Sequence, residues 1–443
     1  FYLKKKGERM EFISSFLYLI ILANTIGAVI TVFREPREIA ATWGWLIVLI
    51  MLPIIGFIIY FFFGRRIRKK RIFNMKSQET VGLQELVEQQ QRDLEKTKEK
   101  IGAPKFQFKN EYQEDLASFF LETDDAIITE NNEVTLYVSG EDKFTQLKAD
   151  IEQAKHHIHL QYYIFNDDTI GHEIMGLLIE KAREGIEVLV IYDALGARKT
   201  RQGFWKKLHD AGGHTVPFFG YSLGFINWRI NYRNHRKIVV IDGKIGYVGG
   251  FNIGDEYLGK GKLGYWRDTH LRIVGDAVYS LQSRFFIDWN AAVHEDKRRE
   301  FIPEYFPMVE SMGQNTIQVV STGPDASLQK IKLGLIKMIS MAKKSVWIQT
   351  PYFIPDESVQ EALSIAALSG VDVRIMIPSK PDHPIVYRAT EFYASQIIQS
   401  GVKVYVYQNG FLHAKTMIVD GELVTVGTSN FDMRSFRLNF EVN

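Results

Sequence analysis

A histidine, a lysine two places on and an asparagine 15 places after the lysine occur twice in this chain, 178 residues apart. The first set is His235, Lys237 and Asn252, with Asp242, Gly243 and Gly249 between; the second is His413, Lys415 and Asn430, with Asp420, Gly421 and Gly427 in the same register. These residue types suit transfer at a phosphodiester. Two lysines supply fixed positive charge and two asparagines supply amide donors to the same oxygens. One neutral imidazole attacks phosphorus while the other, protonated, donates to the leaving oxygen and later takes a proton from the incoming alcohol. The lysines stand where a divalent cation would otherwise sit, so the scheme calls for no metal and no cofactor.

Around these residues the pattern predicts hairpins. Asn234 to Ile241 and Leu412 to Val419 read as strands, in which residues two apart share a face, so each His points the way its Lys does. Asp242 and Asp420 lie an odd number of places further on, each before a Gly and between apolar runs, which is a turn signal. They are read as turn formers able to pair with a cation. Return strands Ile245 to Val248 and Leu423 to Val426 lead into Gly249-Gly250-Phe251-Asn252 and Gly427-Thr428-Ser429-Asn430. Small residues there let backbone and amide donors close on an anion. Gly250 and Ser429 therefore join Asn252 and Asn430 as phosphate-binding candidates, with Gly249 and Gly427 as structural members.

Each histidine also needs an acceptor on its far nitrogen to fix the tautomer. Asp268 follows the first histidine by 33 residues and Glu441 follows the second by 28, and these are the candidate orienting carboxylates. Ordinary strand-edge acids are the plain alternative.

The elements that must carry these groups form two parallel series. Strands are predicted at Ile158 to Ile164, Glu187 to Tyr192 and His214 to Phe218, with helices at Lys143 to Lys155, His172 to Arg183 and Gln202 to Ala211. The order repeats with helix Leu328 to Ala342, strand Val346 to Thr350, helix Ser358 to Leu368, strand Val371 to Ile377, a helix around Tyr387 to Gln399 and strand Val402 to Tyr407. Each series ends at its histidine-lysine hairpin. The fold class is thus α/β, two duplicated halves sharing one active site. Expected boundaries are a hairpin over 1–71, a helical linker with a solvated face over 72–110, a first half over 111–310 and a second over 311–443.

The 443 residues include no cysteine, which excludes disulfides, thiolate metal sites and a cysteine nucleophile. Phe12 to Phe33 and Trp43 to Phe63 are uncharged apolar stretches of 22 and 21 residues, each enough for a helix to cross a bilayer. They predict a two-helix transmembrane hairpin. Lys4, Lys5, Lys6 and Arg9 precede it and Arg65, Arg66, Arg68, Lys69, Lys70 and Arg71 follow it, against Arg34 and Arg37 in the loop, so both termini and the catalytic halves are expected on the cytoplasmic side. The basic flank suits anionic lipid headgroups.

His156, His157 and His159 cluster without metal spacing and are read as structural. Tyr162, Tyr163, Tyr352 and Phe353 are expected at strand ends near the site. Pro217 to Tyr232, rich in aromatic and basic residues, is a segment able to dip into a bilayer or to serve as a buried connector.

The duplicated pattern resembles the phospholipase D superfamily. With the apolar hairpin, Gly249 to Gly259 and Trp266-Arg267-Asp268-Thr269-His270, the chain is similar to bacterial cardiolipin synthases of that superfamily over nearly all of Phe12 to Asn443. The resemblance implies transfer of a phosphatidyl group between two phosphatidylglycerol molecules, giving cardiolipin and glycerol through a phosphatidyl-histidine. It implies His235 as nucleophile, His413 as acid/base and Asp268 and Glu441 as orienting acids. Partners implied are phosphatidylglycerol and cardiolipin in the cell membrane, no nucleic acid, and room for a homo-oligomer. Such enzymes continue through a further strand and helix, so the second half is expected to be shortened at its carboxyl end. A hydrolase or other phosphatidyltransferase using the same site, or a membrane-tethered nuclease, would need the same residues.

Overall fold

The computed structural model describes residues 2–34, 39–52, 54–64, 85–97, 99, 105–106, 108–220, 231–310 and 313–443. Of these, the residues up to 64, with 231, belong to one compact unit and the others to a second.

The larger unit holds both halves. Its first half carries β1 (Thr129–Tyr137), β2 (His157–Tyr162), β3 (Glu187–Asp193), β4 (His214–Phe218), β5 (Arg233–Asn234), β6 (Ile238–Ile241), β7 (Ile245–Gly249), β8 (Trp266–Arg267) and β9 (His270–Gly275). Its second half carries β10 (Asn315–Ile317), β11 (Ser321–Thr322), β12 (Ser345–Gln349), β13 (Phe353–Ile354), β14 (Asp372–Pro378), β15 (Lys403–Tyr407), β16 (Phe411–Leu412), β17 (Thr416–Val419), β18 (Leu423–Val426), β19 (Phe431–Asp432) and β20 (Asn439–Val442). The main sheets run β10-β1-β9-β7-β6-β2-β3-β4 and β15-β14-β12-β17-β18. Parallel pairing of β2 with β3 and of β12 with β14 follows from the helices that intervene in sequence.

Burial explains the apolar strands. Along β6, Val239 and Ile241 pack toward helices Gly140–Gln153, Thr169–Arg183 and Gln202–Asp210, while Ile238 and Val240 pack against Ala277, Val278 and Leu281 of helix Ala277–Ala292. A strand covered on both faces needs no polar alternation. In the second half Val346, Ile348, Val373, Ile375, Met417 and Val419 meet helices Lys330–Met341, Glu357–Leu368 and Pro384–Ile397.

Two expectations are corrected here. Neither histidine-lysine segment is a continuous strand: β5 and β16 end just before His235 and His413, and β6 and β17 begin after Lys237 and Lys415. The backbone leaves the main sheet at these residues to pair across the two halves. The linker also lacks an all-solvated surface. Residues 85–97 are helical, and Val87 and Leu94 are buried with Phe106, Ala117, Leu121, Ile127 and Ile128. Between them Gln90 donates to Ile128 O at 2.9 Å and accepts from Ile128 N at 2.8 Å. Val87, Gln90 and Leu94 lie three and four apart, one helix face hidden among otherwise polar neighbours.

The smaller unit comprises helices Tyr2–Phe33, Ile39–Met51 and Ile55–Ile59 and a π turn Tyr60–Gly64. Among the described residues no helix is long and apolar enough to cross a membrane. The second apolar stretch, expected as one span, is interrupted after Met51, where the sequence has a proline, a residue without an N–H to continue a helix. Ala28 and Val32 pack on Leu46 and Leu49, and Asn24 Nδ2 donates to Leu49 O at 2.9 Å. A Cβ on Gly56 would meet Val48 O at 2.6 Å, so glycine is required for that contact. The basic run 65–71 and most of the aromatic segment 217–232 lie outside the described residues.

Candidate active site

Two short parallel ladders join the halves and set the site. Asn234 of β5 pairs with Phe440 of β20, and Leu412 of β16 pairs with Arg267 of β8. The next residue on each strand is then brought to its neighbour across the ladder. His235 N donates to Phe440 O at 2.9 Å and His413 N donates to Arg267 O at 2.8 Å. Consequently His235 stands beside Glu441 and His413 beside Asp268.

Sequence offsets had placed each acid after the histidine of its own half; the structure crosses them. His235 Nδ1 lies 3.0 and 2.9 Å from the two Glu441 oxygens, and His413 Nδ1 lies 2.6 Å from Asp268 Oδ2. A carboxylate can only accept here, so Nδ1 carries the proton in each ring and Nε2 is left for chemistry. Glu441 also accepts from Thr428 Oγ1 at 2.5 Å and from Asn439 Nδ2 at 3.1 Å, whereas Asp268 accepts from Thr269 N at 2.7 Å.

Lys237 and Lys415 are both buried, and each ammonium donates to the carbonyl of the histidine two residues before it. Burial depresses Lys237 to about 7, with Glu441 opposing and Lys415 adding to the fall. Burial likewise lowers Lys415 to about 8 against the pull of Asp268 and Glu441. Both histidines fall to about 4, chiefly through burial, with the neighbouring lysine adding and the paired carboxylate opposing. Glu441 is raised by burial, but His235, Lys237 and Thr428 outweigh this and hold it below the usual range. The site's own groups are therefore neutral imidazoles and lysines that ionise near neutrality, a set that gains protons when an anion binds.

The asparagines differ. Asn252 Oδ1 accepts from Ile164 N at 3.2 Å and its Nδ2 donates to Tyr257 OH at 3.0 Å, so the amide is fixed in one orientation with a second N–H to offer. Asn430 is buried with no hydrogen-bond partner on Oδ1 among the described residues.

Other expected phosphate donors are already engaged. Gly250 N donates to Thr269 O at 2.9 Å, and a Cβ there would meet Asp268 Oδ1 at 2.0 Å. Its small size admits the Asp268 carboxylate, and its N–H is taken by Thr269 O. Ser429 N donates to Asn443 Oδ1 at 3.2 Å. Gly249, at φ 155°, and Gly427 each let another strand approach, since a Cβ would meet Thr269 O at 2.5 Å or Val442 O at 2.4 Å.

Asp242 and Asp420 take positive φ of 54° and 56°, followed by Gly243 and Gly421 at 64° and 72°, the pattern of a type I′ turn. Their carboxylates are taken up by backbone donors. Asp242 accepts from the N–H groups of Lys155, His156 and His157, and Asp420 from those of Lys343, Lys344 and Ser345. Each aspartate staples its hairpin to the start of the neighbouring strand, β2 or β12.

Tyr163 stands edge-on to His235 at 5.1 Å, and Lys237 Nζ lies 5.5 Å from its ring centre. Tyr162 turns away and accepts from buried Lys143 at 3.0 Å. The His156 cluster is a packing column: His157 stacks on His159 at 4.5 Å and His159 on Phe285 at 4.7 Å. Sequence reasoning missed Thr428 and Tyr257, which sit inside the quoted motifs without a spacing signal, and Asn439, two residues before Glu441. It also missed the buried Arg236–Asp288 pair at 2.6 Å, where Arg236 holds Glu441 O through Nε at 3.1 Å.

Residues 147–262 and 335–443 match the family described as "Cardiolipin synthase, PLD-like domain", and residues 24–65 match "Phospholipase D-nuclease N-terminal". The chain is 51% identical over 438 residues to a protein named cardiolipin synthase from Listeria welshimeri, covering 98% of this chain and 89% of that one. It is 50% identical over 438 residues to the major cardiolipin synthase of Bacillus subtilis, with the same 98% and 89% coverage. Among solved structures, the phosphatidylserine synthase of Haemophilus influenzae is 18% identical with a TM-score of 0.54, covering 74% of this chain and 85% of that one, a likeness of fold. With two phospholipase D-like halves and half its residues shared with these relatives over nearly its full length, the chain belongs to the cardiolipin synthase family of phospholipase D-like phosphatidyltransferases.

Proposed function

We propose that this protein joins two phosphatidylglycerol molecules into cardiolipin and glycerol, and that the paired hairpins perform both half-reactions. His235 Nε2 attacks the phosphorus of the first lipid. The bond from phosphorus to the glycerol oxygen breaks, and that oxygen leaves with a proton from the His413 imidazolium. The terminal hydroxyl of the second lipid then gives its proton to His413 and attacks phosphorus, and the bond from phosphorus to nitrogen breaks. Lys237, Lys415, Asn252 and Asn430 hold the non-bridging oxygens, while Glu441 and Asp268 stabilise charge on His235 and His413 respectively.

The observation that carries this reading is the crossed clamp, with each ring held through Nδ1 by a buried carboxylate of the opposite half. It leaves two Nε2 atoms, one from each half, and two buried lysines for one phosphodiester. Purified protein given phosphatidylglycerol vesicles without divalent cation is expected to yield cardiolipin and glycerol in equal amounts. Phosphatidic acid as the sole lipid product would overturn the reading in favour of hydrolysis.

The smaller unit is proposed to lie in the cell membrane as a hairpin, with the catalytic halves on the cytoplasmic side. Its outward side chains support this, with Tyr18 77% exposed, Ile39 78% and Ile54 74%, apolar surface of a kind that lipid covers. In spheroplasts, an impermeant maleimide should label Arg34→Cys directly and Glu111→Cys only after permeabilisation. Labelling of both from outside would exclude this topology.

A further inference from the structure

The duplicated register hides one chemical difference. Five residues after Asn252 comes Tyr257, and five after Asn430 comes Ser435. Ser435 Oγ accepts from Asn430 N at 3.1 Å. Tyr257 is completely buried, and its hydroxyl lies between Asn252 Nδ2 at 3.0 Å and His413 Nδ1 at 3.3 Å. Its ring packs against Phe251 at 5.1 Å and Trp266 at 5.4 Å, so the hydroxyl has no freedom to leave. Among the described residues His235 has no such companion; Tyr163 faces it with a ring edge at 5.1 Å.

We infer that Tyr257 is a positioning residue that makes the two histidines inequivalent, tying the Asn252 amide to the His413 ring so that His413 serves as the acid/base and His235 is left as nucleophile. The inference rests on the phosphotransfer reading above and adds to it what separates the two rings. The Asn252 amide donates to the phenol oxygen, which therefore acts as an acceptor and has a second lone pair turned to His413 Nδ1. An acceptor beside Nδ1 favours the imidazolium, the form that must protonate the leaving glycerol. Glu441 divides its two oxygens among His235 Nδ1, Thr428 Oγ1 and Asn439 Nδ2, whereas Asp268 Oδ2 meets His413 Nδ1 alongside the Tyr257 hydroxyl. The charged and titratable groups around His413 are Asp268 from the β8 side, Lys415 on its own segment and Lys237 from the first half, with Trp266 at 5.3 Å as the apolar wall.

Tyr257→Phe removes the hydroxyl and keeps the ring. Its kcat for phosphatidylglycerol should fall about five- to tenfold with KM little changed, the loss of about one hydrogen bond made in the transition state. The alkaline limb of its kcat profile should move to lower pH by about half a unit. A second measurement needs no turnover: acylation of each histidine by diethyl pyrocarbonate against pH, read by peptide mass spectrometry. In the unmodified protein the midpoint for His413 should lie above that for His235, and Tyr257→Phe should lower the His413 midpoint alone. Equal midpoints in the unmodified protein would overturn the inference even if the variant failed to fold. So would an unmoved His413 midpoint in a folded variant, or an equal shift at His235. If no cardiolipin forms at all, the proposed function fails, while the acylation midpoints still judge Tyr257.

Discussion

Anion binding should draw protons into this site, and the number can be worked from its lysines. With Lys237 at about 7 and Lys415 at about 8, roughly a tenth of the first and half of the second are charged at pH 8 before an anion binds. A single negative charge at about 4 Å, in an environment of effective dielectric about 20, is worth about 4 kcal/mol, or about three pKa units. Both lysines then become fully charged, an uptake of about 0.9 and 0.5 protons, or about 1.4 in all. The histidines, starting at about 4, rise toward 7 and contribute little at pH 8 but most of the uptake near pH 6. The assay is titration calorimetry with dimethyl phosphate, a monoanionic phosphodiester that does not itself ionise in this range, in two buffers of different ionisation enthalpy. The difference in apparent heat gives the proton number. Affinity should weaken as pH rises through 7 to 8, because the lysines lose their protons in the empty site while the bound site keeps them. Lys237→Met should cut the uptake at pH 8 to about 0.5. Heats identical in the two buffers would refute the reasoning, since they would mean that the lysines are already charged before the anion arrives.

Three further outcomes follow from the geometry. Because the carboxylates cross, Asp268→Asn should impair His413 and let a phosphorylated His235 accumulate, while Glu441→Gln should prevent its formation, each slowing turnover roughly 10²- to 10⁴-fold; the reverse pattern in a rapid-quench experiment would assign the acids within their own halves. Asp242→Ala or Asp420→Ala removes the acceptor of three backbone N–H groups and should destabilise the fold by about 2–4 kcal/mol, lowering the thermal midpoint in detergent while activity per folded molecule persists; lost activity at an unchanged midpoint would contradict a stapling role. Folded-state values of about 4 lie below the ordinary histidine value, so the unfolded chain binds more protons between pH 6.5 and 4, and His235 and His413 should each withdraw up to about 3 kcal/mol as pH falls through that window. A His235→Ala, His413→Ala double variant should show a flatter acid limb in its thermal midpoint, and an unchanged limb would place the acid sensitivity elsewhere.

The chain by itself determined a good deal. The period of apolar residues fixes β4 and β18 to the residue and most helices and strands to within a few, because each element must show a burial face with its own spacing. The turn chemistry of Asp-Gly was legible because both residues must take positive φ. The duplication named His235, Lys237, His413 and Lys415 as a set without any coordinates. The hidden face of the linker helix was not legible, since its partners Phe106, Ala117 and Ile128 come from other elements.

What only the tertiary structure decided is which groups meet. Asp268 and Glu441 could be picked out along the chain but not assigned, because the pairing depends on β5 joining β20 and β16 joining β8, contacts between residues more than 140 positions apart. Such ladders add two residue pairs each and leave no periodic trace. Gly250 shows the same limit: its place beside an asparagine motif suggests anion binding, and only the position of the Asp268 carboxylate gives its small size another purpose. Ionisation belongs to this level as well. The sequence supplies two lysines and two histidines, and burial in the seam between the halves brings their pKa values into the range where a phosphodiester can change their charge.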